Sequence, residues 1–305
     1  MGAPRLAHSQ PLVRIVMGFP PGATGDRLAR IVMGELGQQL GATVIVDSRP
    51  GAGGQLAIEL VKAAPTDGSQ LLQTIGSSMV IYPHTYKSLR YRPFEDFEPV
   101  GAIATAPIVF VAANTTPADT LTEAVQLIKR DTRFAFYASP ASGSVLHFSG
   151  VILQRAIGTE LVHVPYKGSA PVLQDLMAGQ VPFGFVAQSD MLELHRAGKI
   201  KVLAVTGSQR TFQMPGVPTF PELGYPQLVN REWFAYFLPS GTPAPVLARC
   251  RDAIGHVGRS MEVKRRLLEA GLEPSDTDPK QLLSSMRKEY GQWKQLVQAI
   301  GFVAD

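Results

Sequence analysis

Short runs of apolar and β-branched residues alternate with amphipathic helical patterns over most of the chain. The run LVRIVMG (12–18) predicts a buried strand, and Leu28, Ile31, Val32, Leu36 and Leu40 share one face of a helix predicted over 26–40. Further strands are predicted at 43–47 and 69–75 and near 107–113, 134–138, 161–164, 182–186 and 201–206. Further helices are predicted at 55–64 and near 120–130, 144–157, 168–178 and 188–197. Because strands that alternate with helices form βαβ units, the sequence predicts an α/β fold with mostly parallel sheets.

The end of the chain has a different pattern. After the Pro/Gly-rich segment 215–226, one strand is predicted at 233–238 and the remainder is helical, with helix starts at Thr242-Pro243 and Asp278-Pro279. The last helix carries a stripe that we interpret as core: Leu282, Leu283, Met286, Tyr290, Trp293, Val297 and Ile300. A length of 305 residues favours two domains.

Composition and charge exclude several classes of protein. The formal net charge is only +4, and the basic residues form no stripe with interleaved aromatics, so we predict no nucleic-acid partner. The single cysteine, Cys250, lies on an apolar helical face and is interpreted as a buried hydrophobe. The longest uncharged stretch, 99–118, contains prolines and is not a membrane span. The N-terminus, MGAPRLAHSQ, lacks a signal peptide's apolar core, so either the protein is cytosolic or the sequence begins after a removed leader.

Most motifs that carry chemistry are missing from the sequence. It contains no GxGxxG after a strand, no GxxxxGK[ST], no HExxH and no GxSxG, and its six histidines are dispersed. We therefore predict no metal, no cofactor and no catalytic residues. One alternative stays open, an α/β hydrolase-like enzyme that uses Ser144 and His147, although no third group is visible to orient the imidazole.

Two loops carry the remaining chemistry, FPPGATGD (19–26) and ASPASGSVLH (138–147), each between a predicted strand and a predicted helix. Their small residues let a ligand approach backbone N–H groups, and the helix N-terminus favours an anion. Facing each other from two domains, the loops that contain Gly22 and Gly143 would form an anion clamp whose backbone N–H groups point at the ligand. The plainer interpretation is two ordinary tight turns. A third loop, RPGAGG (49–54), is interpreted as structural, with Asp47 and Arg49 paired beside it.

At these loops the chain resembles the Bug-type periplasmic solute-binding proteins of tripartite tricarboxylate transporters. The resemblance rests on VRIVMGFPPGATGDRLAR (13–30), VIVDSRPGAGGQLAIELVKAAPTDGSQLL (44–72), YRPFEDFEPVG (91–101), ASPASGSVLHFSG (138–150), LVHVPYKGSAPVLQDLMAGQV (161–181), AGKIKVLAVTGSQR (197–210), PGVPTFPELGYP (215–226) and WFAYFLPSGTPAPV (233–246). These segments cover nearly the whole chain.

The resemblance implies a type II periplasmic-binding-protein fold, with domain one at 11–105 plus 228–305 and domain two at 106–227. It implies a periplasmic monomer, with its signal peptide removed, that captures a small carboxylate by hinge closure and serves membrane transporter subunits or a sensor. Ligand contacts are expected between the loops. The candidate ligand-binding residues are Phe19, Pro21, Gly22, Ala23, Thr24, Gly25, Asp26, Gly76, Ser77, Ser139, Ala141, Ser142, Gly143, Ser144, Val186 and Ala187.

The sequence departs from the family pattern at three places. Ala23 replaces the second glycine of the first loop, Ala141 replaces a glycine of the second, and Val186 and Ala187 stand where an acidic residue is common after the strand. Losing that acid removes a partner for a ligand amine, so amino-acid ligands are disfavoured. A scaffold protein that kept the fold but lost its ligand is a third hypothesis.

Overall fold

The computed structural model describes residues 10–304. The strands are β1 (Leu12–Met17), β2 (Thr43–Ser48), β3 (Gln70–Ile75), β4 (Phe97–Ala113), β5 (Phe136–Ser139), β6 (Val162–Pro165), β7 (Phe183–Ala187), β8 (Ile200–Val205), β9 (Arg231–Pro239) and β10 (Glu273–Thr277). The α-helices are α1 (Thr24–Leu40), α2 (Gln55–Lys62), α3 (Tyr82–Thr85), α4 (Leu121–Arg130), α5 (Val145–Ile157), α6 (Ser169–Met177), α7 (Gln188–Arg196), α8 (Ala244–Arg259), α9 (Met261–Glu269) and α10 (Pro279–Ile300). None of these helices is long and apolar enough to cross a membrane.

Most predicted elements lie within about two residues of observed ones, but two strands differ. The strand predicted near 107–113 is the end of β4, which begins at Phe97. Pro99 and Gly101 hid its first half, and the β4–β9 register shifts between these two residues, where an irregular ladder accommodates a proline. The polar strand β10 was missed because EPSDT shows no apolar alternation.

Strand β4 joins two groups of strands. Its first part pairs antiparallel with β9, up to Pro107 opposite Arg231, and with β10. From Ile108 onward it pairs antiparallel with β7 and β8. We call residues 10–107 and 231–304 lobe one, and residues 108–230 lobe two. The exact domain boundaries given above stay a prediction.

Each lobe contains parallel βα units, and antiparallel strands join them, so the sheet is mixed. In lobe one β1 lies between β2 and β3, parallel to both. In lobe two β5 lies between β6 and β7, also parallel to both. Since parallel strands place their carboxyl ends at the same edge, the first loop follows β1 and the second loop follows β5 at comparable places in the two lobes.

The apolar core holds the lobes together. One cluster lies within lobe one between the sheet and helices α1 and α8, and it includes Cys250, which is buried as predicted. A larger cluster continues through both lobes and includes the α10 residues Leu282, Met286 and Val297. Tyr290, Trp293 and Ile300 pack against it, so the predicted core stripe is confirmed except at Leu283. Burial of this apolar surface is the main term that stabilises the arrangement.

Candidate ligand-binding site

The first loop leads from β1 into α1, whose N-cap residue is Ala23. A methyl side chain offers no oxygen to the first turn, and no side-chain cap bond forms. Intrahelical bonding begins with Arg27 N–H donating to the carbonyl of Ala23. The N–H groups of Thr24, Gly25 and Asp26 precede that bond and have no acceptor inside the helix. The positive end of a 17-residue helix is therefore left without a side-chain cap.

Asp26 lies in this first turn and is almost fully buried. Its Oδ2 accepts from Gly22 N–H at 2.9 Å and from Arg30 Nε at 2.9 Å. Burial alone would raise the pKa of Asp26, but these two donors hold it below its usual value. The other oxygen, Oδ1, is buried without a hydrogen-bond partner. Phe19 and Pro21 complete the loop, with Phe19 half-buried against the lobe-one core and Pro21 exposed.

The second loop leads from β5 into α5, and here the helix is capped. Ser144 is the N-cap residue; its Oγ accepts from His147 N–H and donates to the carbonyl of Ala141 at 2.7 Å. Ser139 is fully buried, with its Oγ 2.8 Å from His163 Nε2. Ala141 and Ser142 are partly exposed, whereas Gly143 is buried.

The N–H groups of Gly22 and Gly143 are both used inside their own loops. Gly22 N–H donates to Asp26 and Gly143 N–H donates to His147 Nδ1 at 3.1 Å, so both have acceptors within their own loops. Both glycines have positive φ, 82° and 72°, which explains why glycine occupies these positions. Their contact with a ligand stays a prediction.

Gly76 and Ser77 follow β3 and belong to a buried network that joins the lobes. Ser77 donates twice to Glu232, from N–H to Oε1 at 3.0 Å and from Oγ to Oε2 at 2.5 Å. The Ser77 hydroxyl also accepts from Val145 N–H, the first residue of α5 in lobe two, at 3.0 Å. Burial raises the pKa of Glu232 to about 7, against the opposing effect of the Ser77 donors. Gly76 is needed because a Cβ there would lie 2.6 Å from the Trp233 ring.

A cavity of about 450 Å³ opens beside this network, and its wall includes Gly76, Ser77, Val145 and Glu232. Helix α10 contributes Glu289, whose Oε2 accepts from Trp233 Nε1 at 2.9 Å. Burial raises the pKa of Glu289 above its usual value. The candidate residues after β3 thus lie beside a cavity that reaches both lobes.

Val186 and Ala187 end strand β7, but their side chains differ in position. Val186 is fully buried in the lobe-two core and pairs with Val109 of β4, so its side chain lies away from any cleft. Ala187 is the N-cap of α7 and packs against the lobe-one core. The two lobes are therefore in direct contact at this point.

Sequence reasoning missed the polar contacts that join the lobes here. Asp190 Oδ1 accepts from Thr24 Oγ1 at 2.7 Å and from Arg27 at 2.8 Å. Arg27 also donates to the carbonyl of Ser189, and the hydroxyls of Thr24 and Ser189 are 2.8 Å apart. One signal was available: an acidic residue does follow β7, three positions beyond Ala187, in the first turn of α7.

The Ser144–His147 pair lacks the arrangement of a nucleophile and its base. The Ser144 hydroxyl donates to a carbonyl, and Nδ1 of His147 accepts from Gly143 N–H. His147 stacks on His163 with ring centroids 4.0 Å apart. Burial lowers the pKa of His147 to about 4, and burial and the His147 charge lower that of His163 to about 3. Both rings are packing groups, and the hydrolase alternative has no support.

The third loop has the structural role that the sequence predicted. Arg49 Nε donates to Asp47 Oδ1 at 2.8 Å, so the flanking charges pair. Gly54 has φ 95° and lies against Gly18, where an added Cβ would be 2.3 Å from the Gly54 Cα. Close backbone approach therefore explains both glycines. Among residues 10–304 no group of three or more His, Cys, Asp or Glu side chains could hold a metal ion.

Comparison with known proteins identifies this arrangement. The model of the "Tripartite tricarboxylate transporter family receptor" matches residues 28–302. The chain belongs to this receptor family. The match confirms the resemblance drawn from the sequence and the prediction of a binding protein rather than an enzyme.

Solved structures confirm the fold class of the receptor. The periplasmic binding protein BugD is 28% identical, with a TM-score of 0.88 over 96% of this chain and 98% of that chain. Rpa4515 of Rhodopseudomonas palustris, solved with adipate, is 29% identical, with a TM-score of 0.90 over the same shares of the two chains. MatC (Rpa3494) of the same organism, solved with bound malate, is 29% identical, with a TM-score of 0.85 over 94% of this chain and 98% of that chain.

Proposed function

We propose that the receptor captures a small organic carboxylate between the first and second loops, outside the cytoplasm. It acts as a periplasmic monomer, after removal of a signal peptide, and delivers its solute to the membrane subunits of a tripartite tricarboxylate-type transporter or to a sensor. Domains 11–105 plus 228–305 and 106–227 close on the solute about the crossing near β4 and the start of β9. The relatives solved with adipate and malate support a carboxylate as the ligand.

The observation that carries the proposal is the uncapped N-terminus of α1. The first-turn N–H groups of Thr24, Gly25 and Asp26 lie at the positive end of the helix dipole, and no side-chain cap hydrogen bond forms there. The carboxylate of Asp26 is held by Gly22 N–H and Arg30, which compensate its charge. Anions are bound at helix N-termini of this kind through backbone donors. The first loop, which leads to these donors, faces lobe two, where Thr24 contacts Ser189 and Asp190.

The substitution Ala23→Asp tests this proposal. Ala23 has φ −68° and ψ 165°, which suits an N-cap aspartate. The new carboxylate would accept the first-turn N–H groups itself and repel an anionic solute. We expect the helix to gain about 1 kcal/mol from the cap, while binding of adipate or malate weakens by about tenfold or more, as for loss of a charge-assisted hydrogen bond. Titration calorimetry of protein refolded from denaturant, to remove copurified solute, measures the affinity.

Ala23→Gly is the matched control, because glycine leaves the same N–H groups open. It is expected to bind like the parent protein. If the Asp variant binds as tightly as the parent, the carboxylate does not lie on α1. Native mass spectrometry of the protein as purified then identifies the solute, and a copurified organic cation would contradict the proposed ligand class.

A further inference from the structure

The contact between α1 and α7 joins parts of the chain more than 160 residues apart. It carries a carboxylate with three side-chain donors: Asp190 accepts from Thr24 and Arg27 of lobe one and from Ser169 of lobe two. The Ser169 Oγ bond, at 2.6 Å, fixes the carboxylate within its own lobe. Lobe two therefore presents an oriented anion to lobe one.

Burial makes this contact stronger than an ordinary surface ion pair. The side chain of Asp190 is 12% exposed and that of Arg27 is 34% exposed. Exposed pairs contribute little because water and salt screen them. Here the charges are partly shielded from water, and charge-assisted bonds of 2.7 to 2.8 Å reach the same oxygen. Asp190 also lies in the first turn of α7, where the helix dipole favours its negative charge.

The surroundings are shaped to the same contact. Arg27 donates with its other nitrogen to the carbonyl of Gly22, which fixes the guanidinium beside the first loop. Gly271 of lobe one lies against Ser189, and an added Cβ would be 2.9 Å from the Ser189 Cα. Gln213 of lobe two donates to the carbonyl of Leu268 of lobe one. Close backbone packing and hydrogen bonds thus accompany the Asp190–Arg27 ion pair at the contact between the lobes.

We propose that Asp190 is a positioning residue that stabilises the closed arrangement of the two lobes, so that a larger fraction of the protein is closed before the solute binds. It acts through Arg27 and Thr24, and the contact does not depend on which carboxylate the receptor takes. A solute that binds only the closed form gains apparent affinity in proportion to the closed fraction. Asp190 would then set affinity without touching the solute. This goes beyond the proposed function, which concerns α1 and the solute itself.

Asp190→Asn and Arg27→Met test the proposal in protein stripped of solute by refolding. Small-angle X-ray scattering gives the radius of gyration without any ligand. We expect the parent protein to be compact, each variant to have a larger radius, and the double variant to expand no further than either single one. Non-additivity of this kind shows that the two residues act as one contact. If one variant fails to fold, the other still breaks the contact.

Two controls separate closure from general stability. Asp190→Glu keeps the charge and is expected to recover part of the compact form. Glu193→Gln breaks the Arg196–Glu193 pair, which is exposed and lies within α7, and is expected to leave the radius unchanged. A stripped parent protein that is already expanded, or variants as compact as the parent, would overturn the proposal. Neither result bears on the Ala23→Asp test, which measures solute binding.

Discussion

Acidification from pH 7 to pH 5 tests the buried histidine pair. His147 and His163 have pKa values of about 4 and about 3 in the folded protein, against an ordinary value of 6.5. Below pH 6.5 these two histidines are therefore protonated in the unfolded chain while they stay neutral in the folded protein. This stability is fully present above pH 6.5 and is lost as the pH falls toward 4.

Glu232 acts in the opposite direction. Burial raises its pKa from 4.5 to about 7, so between these values the folded protein binds the proton and the unfolded chain does not. Its contribution to stability therefore grows as the pH falls from 7 to 4.5. His84, whose pKa burial lowers, and Glu289, whose pKa burial raises, add one smaller effect of each sign.

Linkage gives the balance of these effects. Between pH 7 and pH 5 each histidine of the pair costs about 2 kcal/mol and Glu232 returns about 2 kcal/mol. The parent protein should thus lose about 2 kcal/mol of unfolding free energy. In Glu232→Gln the compensation is gone, and the loss over the same range should reach about 4 kcal/mol.

Urea unfolding at the two pH values, followed by circular dichroism, measures these differences. The variant His163→Gln keeps a polar group near Ser139 and removes one titrating ring, so its loss on acidification should fall below that of the parent protein. The reasoning is refuted if Glu232→Gln and the parent protein show the same pH dependence, because Glu232 would then not titrate in this range.

Two further predictions concern the loops. Gly22→Ala should destabilise the protein by about 1–2 kcal/mol through its positive φ alone, because an added Cβ meets nothing within 4 Å. Gly143→Ala should cost more, because its Cβ would also lie 3.2 Å from Thr85 Oγ1. Thermal unfolding without solute compares the two variants. The affinity for the solute should change less than about threefold between low and high salt, because the donors are backbone dipoles and Arg27 is paired with Asp190. Calorimetry at two salt concentrations measures this change. A steep loss of affinity would indicate an unpaired cation at the solute.

The sequence predicted the βα units well because each depends on local patterns. Alternating apolar runs, small residues in the strand-to-helix loops and helix-start signals act within about ten residues along the chain. The same reasoning could not find Glu232 beside Ser77 or Asp190 beside Thr24, since these pairs are 155 and 166 residues apart. Which acidic residue meets which hydroxyl depends on how the lobes pack, and no local pattern records it. For the same reason polar β10 was missed, because its strand state depends on pairing with β4.

The two loops look equivalent in sequence but differ in how many hydrogen-bond donors they leave open for a ligand. The N-terminus of α5 is closed by protein groups: Ser144 caps it, Val145 N–H donates to Ser77, and Gly143 N–H donates to His147. The N-terminus of α1 has no such cap at Ala23. A carboxylate gains most where donors lack partners, since it then replaces water and displaces no internal bond. We therefore expect α1 to bind the charged group of the solute and lobe two to contribute chiefly by covering it. The affinity for the solute then depends on the first-turn N–H groups of α1 and on the contact of Asp190 with Thr24 and Arg27 that closes the lobes.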